Sequence, residues 1–298
     1  MLQDNCISTI LVSEIFDLKK RSSKITHTSE KISKKLSRHL SLSKISNIWE
    51  IGSRDGEDAK LLSRTFPSAS IIAFEPNPDT YPKVLAACNS HVGRLTSKNI
   101  ALSDTDGEIV FYKIDTDKTQ TTWDDGNPGA SSLFLANGEY PVETYVQIPI
   151  QVSSCTAKKL IEVEQYAVPN FIWMDVQGSE GLVLKGFGEF LSEVDSIYVE
   201  LSLKAGYHGQ ALAHEIIKLL SKDFYWHSNL STGKWQFDAL FVNKKHKSRT
   251  LQLKHAFLVF SLKSKIRIFI RYHPVKSPIS FLLNRFFRRL RIKPSNSS

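Results

Sequence analysis

The chain has 298 residues and a formal net charge of +9, and with 41% hydrophobic and 23% charged residues it can bury one full-sized core, so one main domain is expected. Its three cysteines, Cys6, Cys88 and Cys155, are scattered without a C-x-x-C pair, which argues against a disulfide framework or a zinc knuckle and favours a reducing cytoplasm. The first twenty residues lack the order of a secretory signal, and no run of eighteen apolar residues predicts a membrane-spanning helix.

The positive charge is concentrated at the two ends of the chain. Residues 1–46 hold 9 basic and 4 acidic residues, residues 246–298 hold 13 basic and no acidic residues, and residues 47–245 carry a net charge of −9. Such an asymmetry usually marks interaction tails. We therefore expect an N-terminal helical cap over 1–46, a main domain over 47–245 and a basic tail over 246–298.

Apolar and β-branched runs that predict strands recur along the central part of the chain. They lie at 48–51, 70–74, 98–102, 108–114, 146–152, 170–176, 196–201, 224–228 and 237–242. Helical patterns lie between several of them, at 56–65, 78–90, 179–191 and 210–222. This alternation predicts an α/β fold with a mainly parallel sheet, closed by an antiparallel final hairpin. The stretch 115–145 predicts a long loop across the ligand face.

The stretch "WEIGSRDGEDA", residues 49–59, predicts a strand, a glycine turn and the start of a helix. A glycine turn at the carboxyl end of a strand lets a ligand approach the backbone closely. The spacing of Gly52 and Gly56 is not that of a dinucleotide-binding G-x-G-x-x-G, because Arg54 stands at the second glycine position. The acid Glu50 would repel a pyrophosphate and favour an amino group or a sulfonium. The turn therefore predicts a pocket for a cationic ligand.

The second predicted strand ends in "IIAFEPNP", where Glu75 closes an apolar run. In nucleotide-binding α/β folds, an acid about twenty residues past the glycine turn can accept both ribose hydroxyls. Glu75 lies 19 residues after Gly56. We predict the ribose role for Glu75, against the alternative that it only ends a strand at the surface.

The stretch "NFIWMDVQGSEGLVLKG", residues 170–186, predicts a buried strand, a turn at Gly178 and a helix. The carboxyl ends of parallel strands form the ligand crevice, so Asp175 and Glu180 are expected to project towards the ligand at the first turn. Each alone has a plain structural explanation, since acids favour helix starts and aspartates favour turns. Together they are candidates for the catalytic base.

Two further candidates for a base are Glu200, which ends the strand "SIYVE", and His208 in "GYHGQ". The unperturbed pKa of a histidine suits proton transfer near neutral pH, although a lone histidine is more often structural. His227 is expected to be a strand residue. Asp175, Glu180 and Glu200 could in principle hold a divalent metal, but three acids at strand ends do not show ligand geometry, so no metal is predicted.

The segment 281–292, "FLLNRFFRRLRI", is amphipathic when wound as a helix. Its leucines and phenylalanines share one face and its arginines share the other, a pattern typical of a membrane-surface helix. Docking on the protein's own acidic body and binding an acidic polymer remain alternatives. We expect contact with an anionic membrane surface through this segment, and no specific nucleic-acid partner.

Several of these stretches together resemble the FkbM family of S-adenosylmethionine-dependent methyltransferases over roughly residues 47–245. The motifs that carry the resemblance are Glu50-Ile51-Gly52-Ser53-Arg54-Asp55-Gly56, "AFEPNP" at 73–78, Ala101-Leu102-Ser103-Asp104, Ser131-Ser132-Leu133, and the aspartate motif at 175–180 with Val-Leu-x-Gly at 183–186. Two departures concern the substrate side: a lysine often found two residues before the aspartate is Trp173, and a usual Leu-Asp is Ala157-Lys158.

The resemblance implies a Rossmann-like class I methyltransferase fold, an α/β fold with helices on both faces of a mainly parallel sheet and an antiparallel last strand. It implies S-adenosylmethionine as the cofactor, which explains the acidic first turn. By the same analogy Glu50 belongs to the cofactor motif, Gly52, Ser53 and Gly56 contact the methionine part, Glu75 the ribose, and Leu102 with Ser103 the adenine.

We expect a cytoplasmic enzyme that transfers a methyl group to an oxygen of a sugar or a lipid-linked hydroxyl. Its basic tail further predicts peripheral attachment to the inner face of a membrane. Asp175, Glu180 and His208 are the candidate catalytic residues. A nicotinamide-dependent oxidoreductase on the same sheet is disfavoured by the glycine spacing. A non-catalytic, membrane-associated binding protein that kept the cofactor fold is the alternative from another class.

Overall fold

The computed structural model describes residues 28–89, 93–231, 233–246, 252–259 and 261. Within them, ten strands form two sheets, and helices cover both faces of the larger one. The main sheet contains seven strands, β1 (Asn47–Ile51), β2 (Ser70–Phe74), β3 (Leu95–Lys98), β7 (Phe171–Met174), β8 (Ser196–Ser202), β9 (Phe224–Asn229) and β10 (Gln236–Asn243).

The strand order in the main sheet is β3-β2-β1-β7-β8-β10-β9. All neighbours are parallel except β10, which pairs antiparallel with both β8 and β9. The prediction of a mainly parallel sheet with an antiparallel last strand is therefore confirmed. The strand order reverses between β1 and β7, and such a switch point opens a crevice at the carboxyl ends of the strands.

The described residues contain seven α-helices, namely α1 (residues 28–36), α2 (Glu57–Thr65), α3 (Tyr81–Asn89), α4 (Ala157–Glu162), α5 (Glu180–Gly186), α6 (Ala213–Leu220) and α7 (residues 252–259). One buried hydrophobic cluster joins the sheet to α1, α2 and α3, and a second joins the opposite face to α4, α5 and α6. Helices on both faces are thus confirmed. The short helix α4 was missed; the side chain of Thr156 caps it by accepting from the Lys159 amide at 3.1 Å.

A second, three-stranded sheet stands apart from the main one. It has the order β4-β6-β5, with β4 (Ala101–Leu102), β5 (Gly107–Ile114) and β6 (Gln147–Cys155). The single strand expected at 98–102 is wrong, because the chain turns after β3 and β4 pairs with β6 instead. The side-chain Nδ2 of Asn99 fixes the turn by donating to the carbonyl oxygens of Glu75 at 2.8 Å and Pro76 at 3.2 Å.

The helix expected over 179–191 is also interrupted. The helix α5 ends at Gly186, and a 3₁₀ helix follows over Gly188–Glu193. A Cβ atom at Gly186 would lie 2.0 Å from the Ser103 carbonyl oxygen, so a glycine is needed where the helix meets β4. The left-handed backbone of Gly188, with φ of +55°, then changes the helix type.

The stretch 115–145 lies across the carboxyl ends of the strands, as expected for a ligand-face loop. It contains one 3₁₀ turn, Pro128–Ala130. The Ser131 hydroxyl accepts from the Ile114 amide at 3.0 Å, and the Ser132 hydroxyl donates to the Gln177 carbonyl oxygen at 2.7 Å. These two bonds hold the loop against β5 and against the turn after β7.

The two ends of the chain are described only in part. The helix α1 contributes Ile32 and Leu36 to the core, while residues 1–27 and the amphipathic segment 281–292 lie outside the described residues. The helix α7 is anchored where the Trp226 amide donates to Nδ1 of His255 at 2.9 Å. In the part of the chain that is described, every helix is too short or too polar to cross a membrane.

Candidate active site

A smaller pocket and a larger, open cleft adjoin each other at the carboxyl ends of the central strands. The pocket has a cavity volume of about 50 Å³ and the cleft about 570 Å³. Both are lined by Gly52, Arg54, Gly129, Asp175 and Gln177. A molecule in the pocket and a molecule in the cleft would therefore meet at these residues.

The turn after β1 forms one wall of the pocket. Gly52 has φ of +89°, and a Cβ there would lie 1.8 Å from the Asp175 carbonyl oxygen, so only glycine allows β1 and β7 to approach this closely. The amides of Gly52 and Ser53 both donate to the Phe74 carbonyl oxygen, at 3.0 and 3.1 Å. The turn is thus fixed to the end of β2.

Two other residues of this motif lie behind the pocket rather than in its wall. Gly56 precedes α2 in a left-handed conformation, and a Cβ there would lie 2.6 Å from the Ala87 Cβ, so its glycine lets α2 pack on α3. Ser53 is 1% exposed and its hydroxyl donates to Oε2 of Glu50 at 2.7 Å. Both residues support the turn that carries Gly52.

Glu50 is fully buried beneath the turn. Its Oε1 atom has no hydrogen-bond partner among the described residues. Burial raises the pKa of Glu50 well above its usual value, and repulsion from Asp58 adds to the shift. Glu50 does not line the pocket, so any effect on a ligand there acts through charge or through Ser53.

Glu75 lies at the end of β2 with its carboxylate in the pocket wall. Its two oxygens accept from the backbone amides of Arg54 at 2.7 Å and Asn77 at 2.8 Å, which fixes the orientation of the carboxylate. Burial raises the pKa of Glu75 to about 6, although these hydrogen bonds oppose the shift. An ionised carboxylate has about four acceptor positions, so it can accept further hydrogen bonds from hydroxyl groups in the pocket.

The other end of the pocket is apolar. Its lining there is Phe74, Ile100, Leu102, Phe111 and Leu133. Leu102 lies in the wall as expected. Ser103 does not line the pocket, because its hydroxyl is fully buried and accepts from the Thr105 amide at 3.1 Å and from the Ser154 hydroxyl at the same distance.

The side chain of Asp175 lies where the pocket meets the cleft, and it is oriented by a chain of hydrogen bonds. Gln177 Nε2 donates to Oδ1 of Asp175 at 2.6 Å. The Tyr207 hydroxyl in turn lies 3.3 Å from Oε1 of Gln177 and donates to the Ala130 carbonyl oxygen at 2.8 Å. The backbone of Gln177 is left-handed, with φ of +50°, a strained conformation that often marks functional positions.

Glu180 is buried at the start of α5 and lines neither cavity. Its Oε1 accepts from the Gly178 amide at 3.0 Å, which closes the turn between Asp175 and the helix. Burial raises the pKa of Glu180 to about 7, and the charge of Asp175 contributes to the rise. Glu180 therefore supports the turn and changes its charge near neutral pH.

The cleft is bordered by aromatic, acidic and amide side chains. The aromatic ones are Trp123, Tyr140, Tyr145, Trp173, Tyr198, Tyr207 and Trp235. Glu200 lies deep in the cleft, where Gln236 Nε2 donates to its Oε1 at 2.7 Å. Burial raises the pKa of Glu200, and the charges of Asp175 and Asp238 add to the shift.

His208 lies apart from this site. Its side chain is exposed and lines neither cavity, while its backbone amide donates to the Leu135 carbonyl oxygen at 2.8 Å. His227 is a buried residue of β9, as expected. Among the described residues, no group of three or more His, Cys, Asp or Glu side chains is arranged to hold a metal ion.

Sequence reasoning missed three residues at the junction, Arg54, Gln177 and Tyr207. Arg54 is left-handed, with φ of +57°, and its guanidinium lies 4.8 Å from the Trp123 ring and pairs with Asp125. The position of Arg54 within the motif Glu50–Gly56 could have indicated a place at the ligand site. Tyr207 stands beside the histidine that drew attention in "GYHGQ", yet the tyrosine is the buried one.

The strand order, with its switch point and antiparallel last strand, is that of the class I methyltransferase fold, and two adjoining cavities lie at the carboxyl ends of its strands. The chain belongs to the family described as the methyltransferase FkbM domain, whose model matches residues 50–225. The chain is thus an S-adenosylmethionine-dependent methyltransferase. The nicotinamide-dependent oxidoreductase alternative is excluded by this membership.

Two curated relatives are similar to the chain. The 2-O-methyltransferase NoeI of Sinorhizobium fredii is 30% identical over 58% of the chain and 70% of its own length. The hexuronic acid methyltransferase AglP of Haloferax volcanii is 29% identical over 59% of the chain and 61% of its own length. Among solved structures, M. capricolum TrmK with S-adenosylhomocysteine has 10% identity and a TM-score of 0.39, covering 83% of the chain and 94% of that protein.

The residues of the pocket fit this cofactor. A slot of apolar side chains suits an adenine ring, an oriented carboxylate on Glu75 suits a ribose, and the close approach at Gly52 leaves no side chain between the turn and the pocket. The acids Glu75 and Asp175 in the pocket lining suit the cationic amino and sulfonium groups. Arg54 is the one cationic side chain of the described residues that lines the pocket.

Proposed function

We propose that the protein transfers a methyl group from S-adenosylmethionine to a hydroxyl oxygen of a sugar bound in the open cleft. The observation that carries this proposal is the position of Asp175, whose side chain is the one carboxyl group among the described residues that lines both cavities. A group at this junction can reach a hydroxyl that faces the cofactor pocket. The names of both curated relatives, a 2-O-methyltransferase and a hexuronic acid methyltransferase, support a sugar acceptor.

In this proposal, Gly52, Glu75 and Leu102 contact the cofactor in the pocket wall. Glu50, Ser53, Gly56 and Ser103 support that wall from behind, because each is buried and engaged with a neighbouring element. When bound, the cofactor supplies a methyl group that is already activated for transfer. What the chain must add is alignment of the acceptor oxygen and removal of its proton.

Asp175 is the proposed base for the acceptor hydroxyl. Gln177 donates to one carboxylate oxygen of Asp175 at 2.6 Å, which orients the side chain at the junction of the two cavities. Glu180 is proposed as a positioning residue that holds the Gly178 turn. The role predicted for His208 stays a prediction and has no place in this mechanism, since its exposed side chain lines neither cavity.

Tyr207 is proposed to position Asp175 through Gln177. Replacing Tyr207 with Phe keeps the ring and removes the hydroxyl that lies 3.3 Å from Gln177. We expect kcat to fall several-fold while KM for the acceptor changes little, because the acceptor contact with the ring is retained. A change in KM alone would assign the hydroxyl to acceptor binding instead.

The function is tested by incubating the protein with S-adenosylmethionine labelled in the methyl group and with glycans extracted from the source cells. We expect label in sugars that survives alkali, which removes methyl esters and leaves methyl ethers. Acid hydrolysis should then release O-methyl sugars. Label confined to proteins, to sugar-free lipids or to alkali-labile esters would contradict the proposal, and cofactor binding without any turnover would favour the non-catalytic alternative.

We further propose that the C-terminal part brings the enzyme to an anionic membrane, where a lipid-linked acceptor would be reached. The supporting observation in the described residues is α7, where Leu253 is 67% and Phe257 71% exposed beside Lys254. Each basic residue near an anionic bilayer contributes about 1 kcal/mol. The basic segment 281–292 would add to this attraction.

Liposome co-sedimentation tests the membrane proposal with the full chain. The wild type should pellet with anionic vesicles, less so at high salt, and not with neutral vesicles. A variant in which Arg285, Arg288, Arg289 and Arg291 are replaced by Gln should stay largely in the supernatant. If the wild type and the variant pellet equally with anionic vesicles, the segment 281–292 does not bind the membrane. A lower melting temperature of the variant would indicate that the segment docks on the protein's own acidic body.

A further inference from the structure

One wall of the open cleft is formed by four aromatic side chains in a continuous row. Neighbouring ring centroids are 6.3 Å apart for Tyr207 and Tyr145, 6.0 Å for Tyr145 and Tyr140, and 5.8 Å for Tyr140 and Trp235. All four rings line the cleft. The row thus continues along the wall for three ring-to-ring steps.

The row begins at the junction with the cofactor pocket and leads away from it. Tyr207 is the member at the junction, because its hydroxyl is bonded to the loop carbonyl of Ala130 and lies beside Gln177. Trp235 is the member at the far end, where Lys204 Nζ lies 4.8 Å from the ring centroid. Binding contacts at Trp235 would therefore be remote from the transferred methyl group.

Two of the four rings, Tyr207 and Tyr145, are held in place by hydrogen bonds of their hydroxyl groups. The Tyr145 hydroxyl donates to Oε2 of Glu143 at 2.5 Å, and Asn127 Nδ2 donates to the same oxygen at 3.0 Å. Both contacts come from the loop over 115–145. The wall is thus preorganised, and a ligand that packs on it orders few side chains on binding.

The cleft also carries aromatic and hydrogen-bonding groups outside this row. Trp173 and Tyr198 stack with centroids 4.0 Å apart, and Gln210, Gln236 and Glu200 supply amide and carboxylate groups. Sugars present apolar C–H faces and many hydroxyl groups, so they match a surface of rings interspersed with such groups.

The charges of the cleft restrict the kind of glycan. In the part of the chain that the structure describes, the lining contains five acidic side chains, namely Asp58, Glu143, Asp175, Glu200 and Asp238, against two basic ones, Arg54 and Lys204. Arg54 is already paired with Asp125. A polyanionic glycan would be repelled by this lining, whereas a neutral one would not.

We infer that the aromatic row is a series of sugar subsites and that the acceptor is a neutral oligosaccharide rather than a single sugar. The sugar that receives the methyl group lies at Asp175, and the following sugars pack along Tyr145, Tyr140 and Trp235. This inference rests on the proposed sugar methylation and adds to it the length and charge of the acceptor. Trp235 and Tyr140 are then specificity-determining residues.

The test uses methyl-labelled S-adenosylmethionine and source-cell glycans separated by size and by anion exchange. For the wild type, we expect label in neutral oligosaccharides at a rate at least tenfold above that in single sugars. Replacing Trp235 with Ala should reduce this length preference several-fold by raising KM for the longer acceptors. The matched control is Tyr112→Ala, which removes a half-buried tyrosine that lines neither cavity and should keep the preference.

The two proposals fail in distinguishable ways. Label that enters single sugars as fast as oligosaccharides, or a length preference that Trp235→Ala leaves unchanged, would overturn the subsite inference and leave sugar methylation standing. Label that enters only anionic glycans would overturn the inferred charge. Label in no sugar at all would overturn the proposed function itself. The melting temperature of each variant is measured by thermal unfolding. A melting temperature within a few degrees of the wild-type value shows that a loss of methyl transfer is not caused by misfolding.

Discussion

Two buried carboxylates of the site have pKa values close to physiological pH, and their charges are accessible to experiment. Glu75 is held by two backbone amides in the cofactor pocket, and burial raises its pKa to about 6. Glu180 closes the turn after β7, and burial raises its pKa to about 7. A change from Glu to Gln removes the charge at both sites. It retains the acceptor oxygen of Glu180, whereas at Glu75, where both oxygens accept backbone amides, it also loses one of these two hydrogen bonds.

Replacing Glu75 with Gln should weaken binding of S-adenosylhomocysteine at pH 8 by about 1–3 kcal/mol, because a charge-assisted hydrogen bond to a hydroxyl becomes a neutral one. The wild-type affinity should also fall as pH decreases through about 6, where Glu75 takes up a proton. The variant should lack this change. Calorimetric titration at several pH values measures both effects, and an affinity that is the same for both proteins throughout would return Glu75 to a structural role.

Replacing Glu180 with Gln should change how stability depends on pH. Because the folded state holds the proton of Glu180 more tightly than the unfolded chain does, the free energy of unfolding of the wild type falls as pH rises from about 4.5 to about 7. The variant has no such proton to lose. Between pH 5 and pH 8 we expect the variant to gain about 2–3 kcal/mol of stability relative to the wild type.

Urea unfolding of both proteins at the two pH values measures this difference. A stability difference between wild type and variant that stays constant with pH would show that Glu180 is ionised throughout this range. The same denaturation curves reveal any change in the m-value, which would indicate a different unfolded or folded state rather than a lost proton.

At the scale of elements, most strands could be predicted because their apolar runs end at turn residues. The buried runs of β1, β2, β7, β8 and β10 needed no knowledge of the tertiary structure. The departure of β4, β5 and β6 into a second sheet could not be predicted, because alternation along a strand does not specify its partner. The second sheet positions Leu102 and Phe111 in the pocket wall. Because the sheet could not be predicted, the way in which this part of the wall is built could not be predicted either.

The break in the helix after Gly186 escaped prediction for a related reason. The apolar spacing continues through 179–191, but the constraint is a contact with the Ser103 carbonyl oxygen, which is distant in sequence. Of the expected site residues, Gly52, Glu75, Leu102 and Asp175 line a cavity. Glu50, Ser53, Gly56, Ser103 and Glu180 lie behind the walls, since a motif identifies a turn but not which of its side chains faces the ligand.

The turn after β1 offers a prediction at this scale. Replacing Gly52 with Ala should destabilise the fold by at least ~3 kcal/mol. The new Cβ would lie 1.8 Å from the Asp175 carbonyl oxygen at the end of the adjacent strand, and the alanine would have to adopt a positive φ. The control is Gly138→Ala, which has φ of +76° and nothing within 4 Å of the added Cβ. The Gly138→Ala substitution should lower the free energy of unfolding by only about 1 kcal/mol. Equal melting temperatures for the two variants would contradict the close approach of β1 and β7.

At the scale of the whole molecule, the switch point of the sheet places the pocket and the cleft side by side, and the loop over 115–145 forms much of the wall of the cleft. The loop contributes Tyr140, Glu143 and Tyr145 to the cleft, while the strand ends contribute Asp175 and Glu200. The strand ends are shared with the fold, whereas the loop can vary without disturbing the sheet. Acceptor choice is therefore expected to depend chiefly on the loop.

The position of Asp175 between the two cavities is tested most directly by comparing the wild type with Asp175→Asn in the same methyl-transfer assay, alongside titration with S-adenosylhomocysteine. The variant keeps the oxygen that accepts from Gln177 and loses the ability to take a proton. We expect cofactor affinity within about threefold of the wild type and a rate of methyl transfer to glycan reduced by ~10²-fold or more. A variant that transfers methyl groups at the wild-type rate would contradict the account.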